Sequence, residues 1–289
     1  PTLEVRQLLL TAQSRGANTF ARLTSDIADF EATGPLHAAA IRESVRHLEQ
    51  TLTRSMRSHG QAVQTLPTSG RNITFAGVVK RTDVAQRLLH LNLDAPEAIQ
   101  IDGSLATDGS HMQLAAAAPE ITLSGNNLRH LSLVARSDGE QFRLLAKALR
   151  PTKNTDLQVE VSAHGEQGQV YADARWKELR QAHFYGSLQT VSQLRLPAAG
   201  GFKGLDLTTS ILPSTMVIDT REWAVEPGQI TLHDGQLNIT KVALTHADQH
   251  LTISGAYAQH SEGLAIDLNK VDVGSAIALT GFDDDTFGG

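Results

Sequence analysis

From about Leu205 to Leu279, apolar residues fall on every second position. The runs are Ile230-Thr231-Leu232-His233, Leu237-Asn238-Ile239-Thr240, Val242-Ala243-Leu244-Thr245, Leu251-Thr252-Ile253-Ser254, Leu264-Ala265-Ile266-Asp267-Leu268 and Val271-Asp272-Val273. A strand sends successive side chains to opposite faces, so this alternation predicts a sheet with one apolar and one polar face. The candidate lining of the apolar face is Ile230, Leu232, Leu237, Ile239, Val242, Leu244, Leu251, Ile253, Leu264, Ile266, Leu268, Val271 and Val273.

The same period begins earlier. Ile73 to Gly77, Ile99 to Gly103, Met112 to Leu114, Ile121 to Gly125 and Leu157 to Val161 read as strands, followed by Tyr171 to Trp176 and Phe184 to Gly186. Asp108-Gly109, Asn126-Asn127, Asp138-Gly139 and Asp234-Gly235 separate such runs and mark hairpins, because Gly, Asn and Asp tolerate positive φ. Strands at this close spacing fit a sandwich, a barrel or a solenoid, and periodicity leaves all three open. Gln141 to Leu149 could be strand or helix, and Thr82 to Leu89 a helical turn.

Residues 1–66 read differently. Phe20, Leu23, Ile27 and Phe30 fit one face of a helix, and Ile41, Val45, Leu48, Leu52 and Met56 fit a second. Leu3, Leu8 and Ala12 suggest a shorter helix before them. Gly34-Pro35 separates the two longer elements, and Gly60 can end the second. The turn cluster Pro67-Thr68-Ser69-Gly70 then divides the chain into a helical segment, 1–66, and a β-rich domain, 67–289. Pro1 at one end and Phe287-Gly288-Gly289 at the other make the chain read as a piece of a longer protein. An export signal or anchor would lie outside it.

Composition narrows the function. The chain has 289 residues, 40% hydrophobic but only 4% aromatic, so Leu, Ile, Val and Ala carry the apolar load. That balance favours an open or elongated sheet over a centre rich in aromatic rings. Net charge is −6, with no basic stripe, which argues against nucleic acid as a partner. There is no cysteine, so disulfides, thiolate zinc sites and cysteine nucleophiles are excluded. No run reaches the roughly 18 apolar residues of a membrane-spanning helix.

Chemistry is sparse. Phosphate-loop, dinucleotide and nucleophile-elbow motifs are missing. His246 and His250 are the only close histidine pair, and a hairpin connection between them leaves no third ligand. Asp267 and Asp272, and likewise Glu160 and Glu166, read as solvated charges rather than a general acid and base. Asp283, Asp284 and Asp285 read as a solvated loop. The chain thus offers no catalytic, cofactor or metal residues. Trp176 and Trp223 are candidate aromatics filling the end of the sheet core, or contacting a ligand on the apolar face.

The segment from Leu212 to Leu268 has a familiar order. Leu212-Pro-Ser-Thr-Met-Val-Ile-Asp-Thr-Arg-Glu-Trp223 is followed by Ile230-Thr-Leu-His-Asp-Gly-Gln-Leu-Asn-Ile239. Then come Gln249-His-Leu-Thr-Ile-Ser-Gly255 and Gly263-Leu-Ala-Ile-Asp-Leu268. This resembles the TamB family, the translocation-and-assembly-module proteins of Gram-negative envelopes, in its Bacteroidetes-type form. Pro96 to Gly103 is similar to a recurrent unit of that family. Gly263 stands where an acidic residue is usual.

The resemblance implies a mainly β fold: an elongated, curled, taco-like or solenoid-like sheet with an apolar inner face. It implies a periplasmic part of an inner-membrane-anchored protein, working with a BamA-like outer-membrane barrel. The expected role is non-enzymatic, in phospholipid transport to the outer membrane or in outer-membrane protein assembly. Phospholipid acyl chains would lie in the groove, with no cofactor. The competing expectations are a β-augmentation scaffold for client barrel proteins and a closed β-sandwich.

Overall fold

The computed structural model describes residues 6–37, 41–42, 46, 71–82, 93–123, 125–138, 141–152, 155–166, 168–180, 183–195, 206–233, 236–258 and 261–271. Among them the protein is mainly β, with nineteen strands and almost no helix. By contacts the chain divides into two units, Pro1–Gln167 and Gly168–Gly289.

The first unit holds β1 (Leu8–Arg15), β2 (Asn18–Ser25), β3 (Ala28–Gly34), β4 (Asn72–Val79), β5 (Leu93–Asp94), β6 (Ile99–Ala106), β7 (Met112–Leu123), β8 (Asn126–Ser137), β9 (Phe142–Pro151) and β10 (Asp156–Glu166). They pair antiparallel in the order β1-β2-β3-β4-β6-β7-β8-β9-β10. The short β5 pairs with the far end of β7, beyond β6.

The second unit holds β11 (Gln169–Glu178), β12 (Phe184–Arg195), β13 (Asp206–Ile211), β14 (Ser214–Ile218), β15 (Arg221–Val225), β16 (Gly228–His233), β17 (Gln236–His246), β18 (Gln249–Ala258) and β19 (Ser261–Asn269). β12 pairs with both β13 and β14, and β17 with both β15 and β16. The meander continues through β18 to β19.

The helical reading of the N-terminal residues is overturned where it can be compared. Leu8 and Ala12 lie in β1, while Phe20 and Leu23 lie in β2 and Phe30 in β3. Leu23 faces Phe30 across a hairpin. Its turn is built by Ser25, whose Oγ accepts from the N–H groups of Ile27 and Ala28 and donates to the Ala28 carbonyl at 2.8 Å. Helical spacing of apolar residues was thus produced by two short strands and a serine turn. Of the second expected helix, Ile41, Arg42 and Arg46 are helical, and the Ile41 N–H donates to the His37 carbonyl at 3.1 Å. Leu3, Val45, Leu48, Leu52, Met56, Gly60 and the cluster Pro67 to Gly70 lie outside the described residues. β3 pairs with β4 across the expected boundary at 66/67. The ambiguous run from Gln141 to Leu149 is strand.

Each unit carries a line along which the alternation slips by one residue. Ile211 of β13 and Met216 and Ile218 of β14 join one core, while Val217 between the last two is buried on the reverse side. The slip falls at Leu212–Pro213. Opposite it, Val225 and Ile230 join the same core although Glu226–Pro227 separates them. In β17 the register shifts between Ile239 and Val242, with the extra residue at Thr240–Lys241. Proline cannot donate to the ladder, so three neighbouring strands accept a bulge together and keep one face apolar.

The first unit repeats the device. Ala118 and Ile121 are both buried across Pro119–Glu120. On β8, Leu128 and Leu131 pack on that cluster across Arg129–His130, where His130 has a φ of 51° and the register shifts against β9. Pro96 follows β5, and Leu93, Ala95 and Ile99 belong to the same cluster. A polar tie crosses each line: Asn127 Nδ2 donates to Glu120 Oε1, and Lys241 Nζ to Glu226 Oε2, both at 2.7 Å.

Candidate functional site

In the first unit, register assembles two apolar rows across nine strands. One runs Leu10, Leu23, Phe30, Gly77, Ile101, Ala116, Leu133, Ala146, Val161. The other runs Ala12, Ala21, Ala32, Phe75, Gly103, Leu114, Ala135, Leu144, Ala163. Both lie on the same face. Aromatic rings cover glycines here: Phe30 lies over Gly77, and Phe75 over Gly103, where an added β-carbon would meet the Phe75 ring at 2.7 Å. Most of these side chains are half-buried, but at the β1 edge Leu8 and Leu10 are 67% and 65% exposed.

In the second unit the predicted lining residues meet in cross-strand pairs. Ile230 faces Ile239, and Leu232 faces Leu237. Val242 faces Ile253, which faces Ile266; Leu244 faces Leu251, which faces Leu268. These residues share one face. Leu264 pairs with Gly255 on the same line, Val271 packs on the core, and Val273 lies outside the described residues. The face is graded. Leu244 and Leu251 are buried beneath Trp223, whereas Ile266 and Leu268 on β19 are 62% and 43% exposed.

Both tryptophans lie at one hairpin end of this unit. Trp176 stands opposite Gly186 on β12, and Gly186 stands opposite Met216, which faces Trp223. A β-carbon at 186 would fall 2.9 Å from the Trp176 ring and 2.6 Å from the Met216 β-carbon. Trp176 therefore fills the space over a glycine and reaches Met216 from one side, with Trp223 on the other. Trp223 is fully buried. Its ring lies 5.5 Å from that of His246, whose Nδ1–H donates to the Glu222 carbonyl at 2.7 Å. Register puts His246 opposite Gln249 and His250 opposite Thr245, so the two histidines occupy opposite faces and cannot share a ligand.

The reverse face of the first unit carries ion pairs, beside an apolar pair of Val134 and Leu145. Lys80 lies 2.8 Å from Asp29, and Lys147 2.8 Å from Glu160. The hydrogen bond from Lys80 holds the Asp29 carboxyl below its ordinary range, aided by the Ser25 N–H and opposed by desolvation. Lys270 does the same for Asp248. For Asp26, desolvation is outweighed by backbone N–H groups and Arg81, so its value also falls. Among the described residues no three metal-ligating side chains come together.

The apolar rows of the first unit were not among the predicted lining residues. Their strands were visible as alternation, but Ala and Gly occupy half of the two rows and dilute the pattern. Chemically, a face of this kind can shelter aliphatic chains while its reverse stays hydrated. No family model, curated protein or solved structure matches this chain.

Proposed function

We propose that this chain is a non-enzymatic envelope module whose apolar face holds phospholipid acyl chains. In this reading the sheets curl lengthwise with the apolar face inward, as a taco-like groove. The module belongs to a TamB-like, inner-membrane-anchored protein in the periplasm, with a BamA-like outer-membrane barrel as partner. The Leu212–Leu268 resemblance supports that assignment. The observation that carries the lipid reading is the pair of apolar rows running unbroken through nine strands, with edge leucines left exposed.

An acyl chain gains about 0.8 kcal/mol per buried methylene, so a few contacts along such rows suffice to hold one. The test is native mass spectrometry of the chain after purification from membranes, beside an Ile253→Asp variant. Bound phospholipid that the variant loses supports the reading; no lipid on either overturns it.

A second reading rests on β1, whose residues are all exposed. Such an edge can take up a strand from a client barrel protein by β-augmentation. Crosslinks from β1 to client strands, with no lipid bound, would favour it.

A further inference from the structure

The geometry points to an anion site for phosphate groups on the polar face of the first unit, built on Arg136 and Arg143. Register sets these two arginines directly opposite each other on β8 and β9. Arg143 in turn faces His164, and Arg136 faces Gln113. Three basic side chains therefore cross three adjacent strands in one row.

Like charges directly opposite in an antiparallel pair, with β-carbons roughly 5 Å apart, destabilise a sheet. Elsewhere on this face the lysines pair with acids, as Lys147 does with Glu160 and Lys80 with Asp29. Among the described residues the two guanidiniums do not: neither meets a carboxylate, and Arg143 donates to the Gln141 amide oxygen at 3.0 Å.

Both arginines line an open cavity of about 620 Å³ that also receives Asn72, Ser104, Ser110 and Gln113. These groups supply further hydrogen-bond donors. Two carboxylates border the cavity, and the turns engage both. Asp108 Oδ1 accepts from the Ser110 N–H and hydroxyl, at 3.0 and 2.6 Å, and Asp138 Oδ1 accepts from the Gln141 N–H at 2.8 Å. They brace the hairpins on either side. Paired guanidiniums suit the oxygens of a phosphate, which each can grip with two N–H groups. The site lies on the face opposite the apolar rows and does not depend on what those rows hold.

The experiment follows the arginine Nε–H resonances of the full chain by NMR during titration with inorganic phosphate, with chloride at matched ionic strength as control. The proposal predicts saturable shifts of Arg136 and Arg143 with phosphate alone. Removal of a charged hydrogen-bond partner weakens binding about tenfold or more, so R136Q and R143Q should each do so. R22Q, whose arginine pairs with Glu31, should leave it unchanged. Sedimentation with vesicles of phosphatidylglycerol or phosphatidylcholine separates the sources. Vesicle binding lost in R136Q/R143Q assigns lipid headgroups; phosphate saturation without vesicle binding assigns free phosphate. A flat phosphate titration, together with vesicle binding that is absent or survives R136Q/R143Q, overturns the site.

Discussion

Gly228 sits against the carbonyl of Lys241 so closely that a β-carbon at 228 would collide with that oxygen. The contact lies where β16 meets the bulge in β17, beside Pro227 and opposite Ile211. It holds the line along which three strands shift phase together. The account therefore predicts that Gly228→Ala destabilises the protein by more than about 1 kcal/mol, because the backbone itself is the obstacle. Gly263 has only an ordinary contact, at 3.9 Å to the Ala256 carbonyl, so Gly263→Ala should stay within about 0.5 kcal/mol. Urea midpoints of the two variants check this.

Trp223 should behave as the centre of the second unit. It is fully buried with Ile218, Val225, Leu244 and Leu251 around it. Trp223→Ala should cost about 3–5 kcal/mol. Trp176→Phe should cost less and leave a single tryptophan with a blue-shifted emission that acrylamide quenches poorly. A red-shifted, readily quenched signal in that variant would contradict the packing.

Acid should weaken the first unit through Asp29. Its carboxyl is lowered in the folded state by Lys80, so the unfolded chain takes up the proton first. The stabilisation is present above the unfolded value, about pH 4, and is lost as pH falls through the folded value. Urea midpoints followed from pH 7 to pH 3 should drop in that window. Asp29→Asn should flatten part of the drop, and addition of salt should shrink the difference, because both side chains are well exposed.

What could be read from the chain followed the strength of its periodicity. Ile230 to Leu268 alternates with large aliphatic residues, and the structure pairs those residues on one face. The phase slips were hidden, because Leu237-Asn238-Ile239-Thr240 and Val242-Ala243-Leu244-Thr245 look like two strands, whereas they are one strand with a bulge. Phe20 to Phe30 mimicked a helix because a serine turn spaced two strands by helical intervals. The cationic row could not be seen at all, since only register brings Arg136, Arg143 and His164 side by side. A low aromatic content did not signal an absence of aromatic packing. Phe30, Phe75 and Trp176 each cover a glycine on the neighbouring strand.

The central claim is that acyl chains lie on one face of the strands. The most direct measurement is paramagnetic broadening of backbone and methyl NMR signals by a phospholipid spin-labelled in its acyl chain. The account predicts strong broadening at Ile101, Leu133, Val161, Ile266 and Leu268, with Gln100, Ser132, Glu160 and Asp267 on the opposite face much less affected. Equal broadening of both faces, or none at saturating lipid, would contradict it.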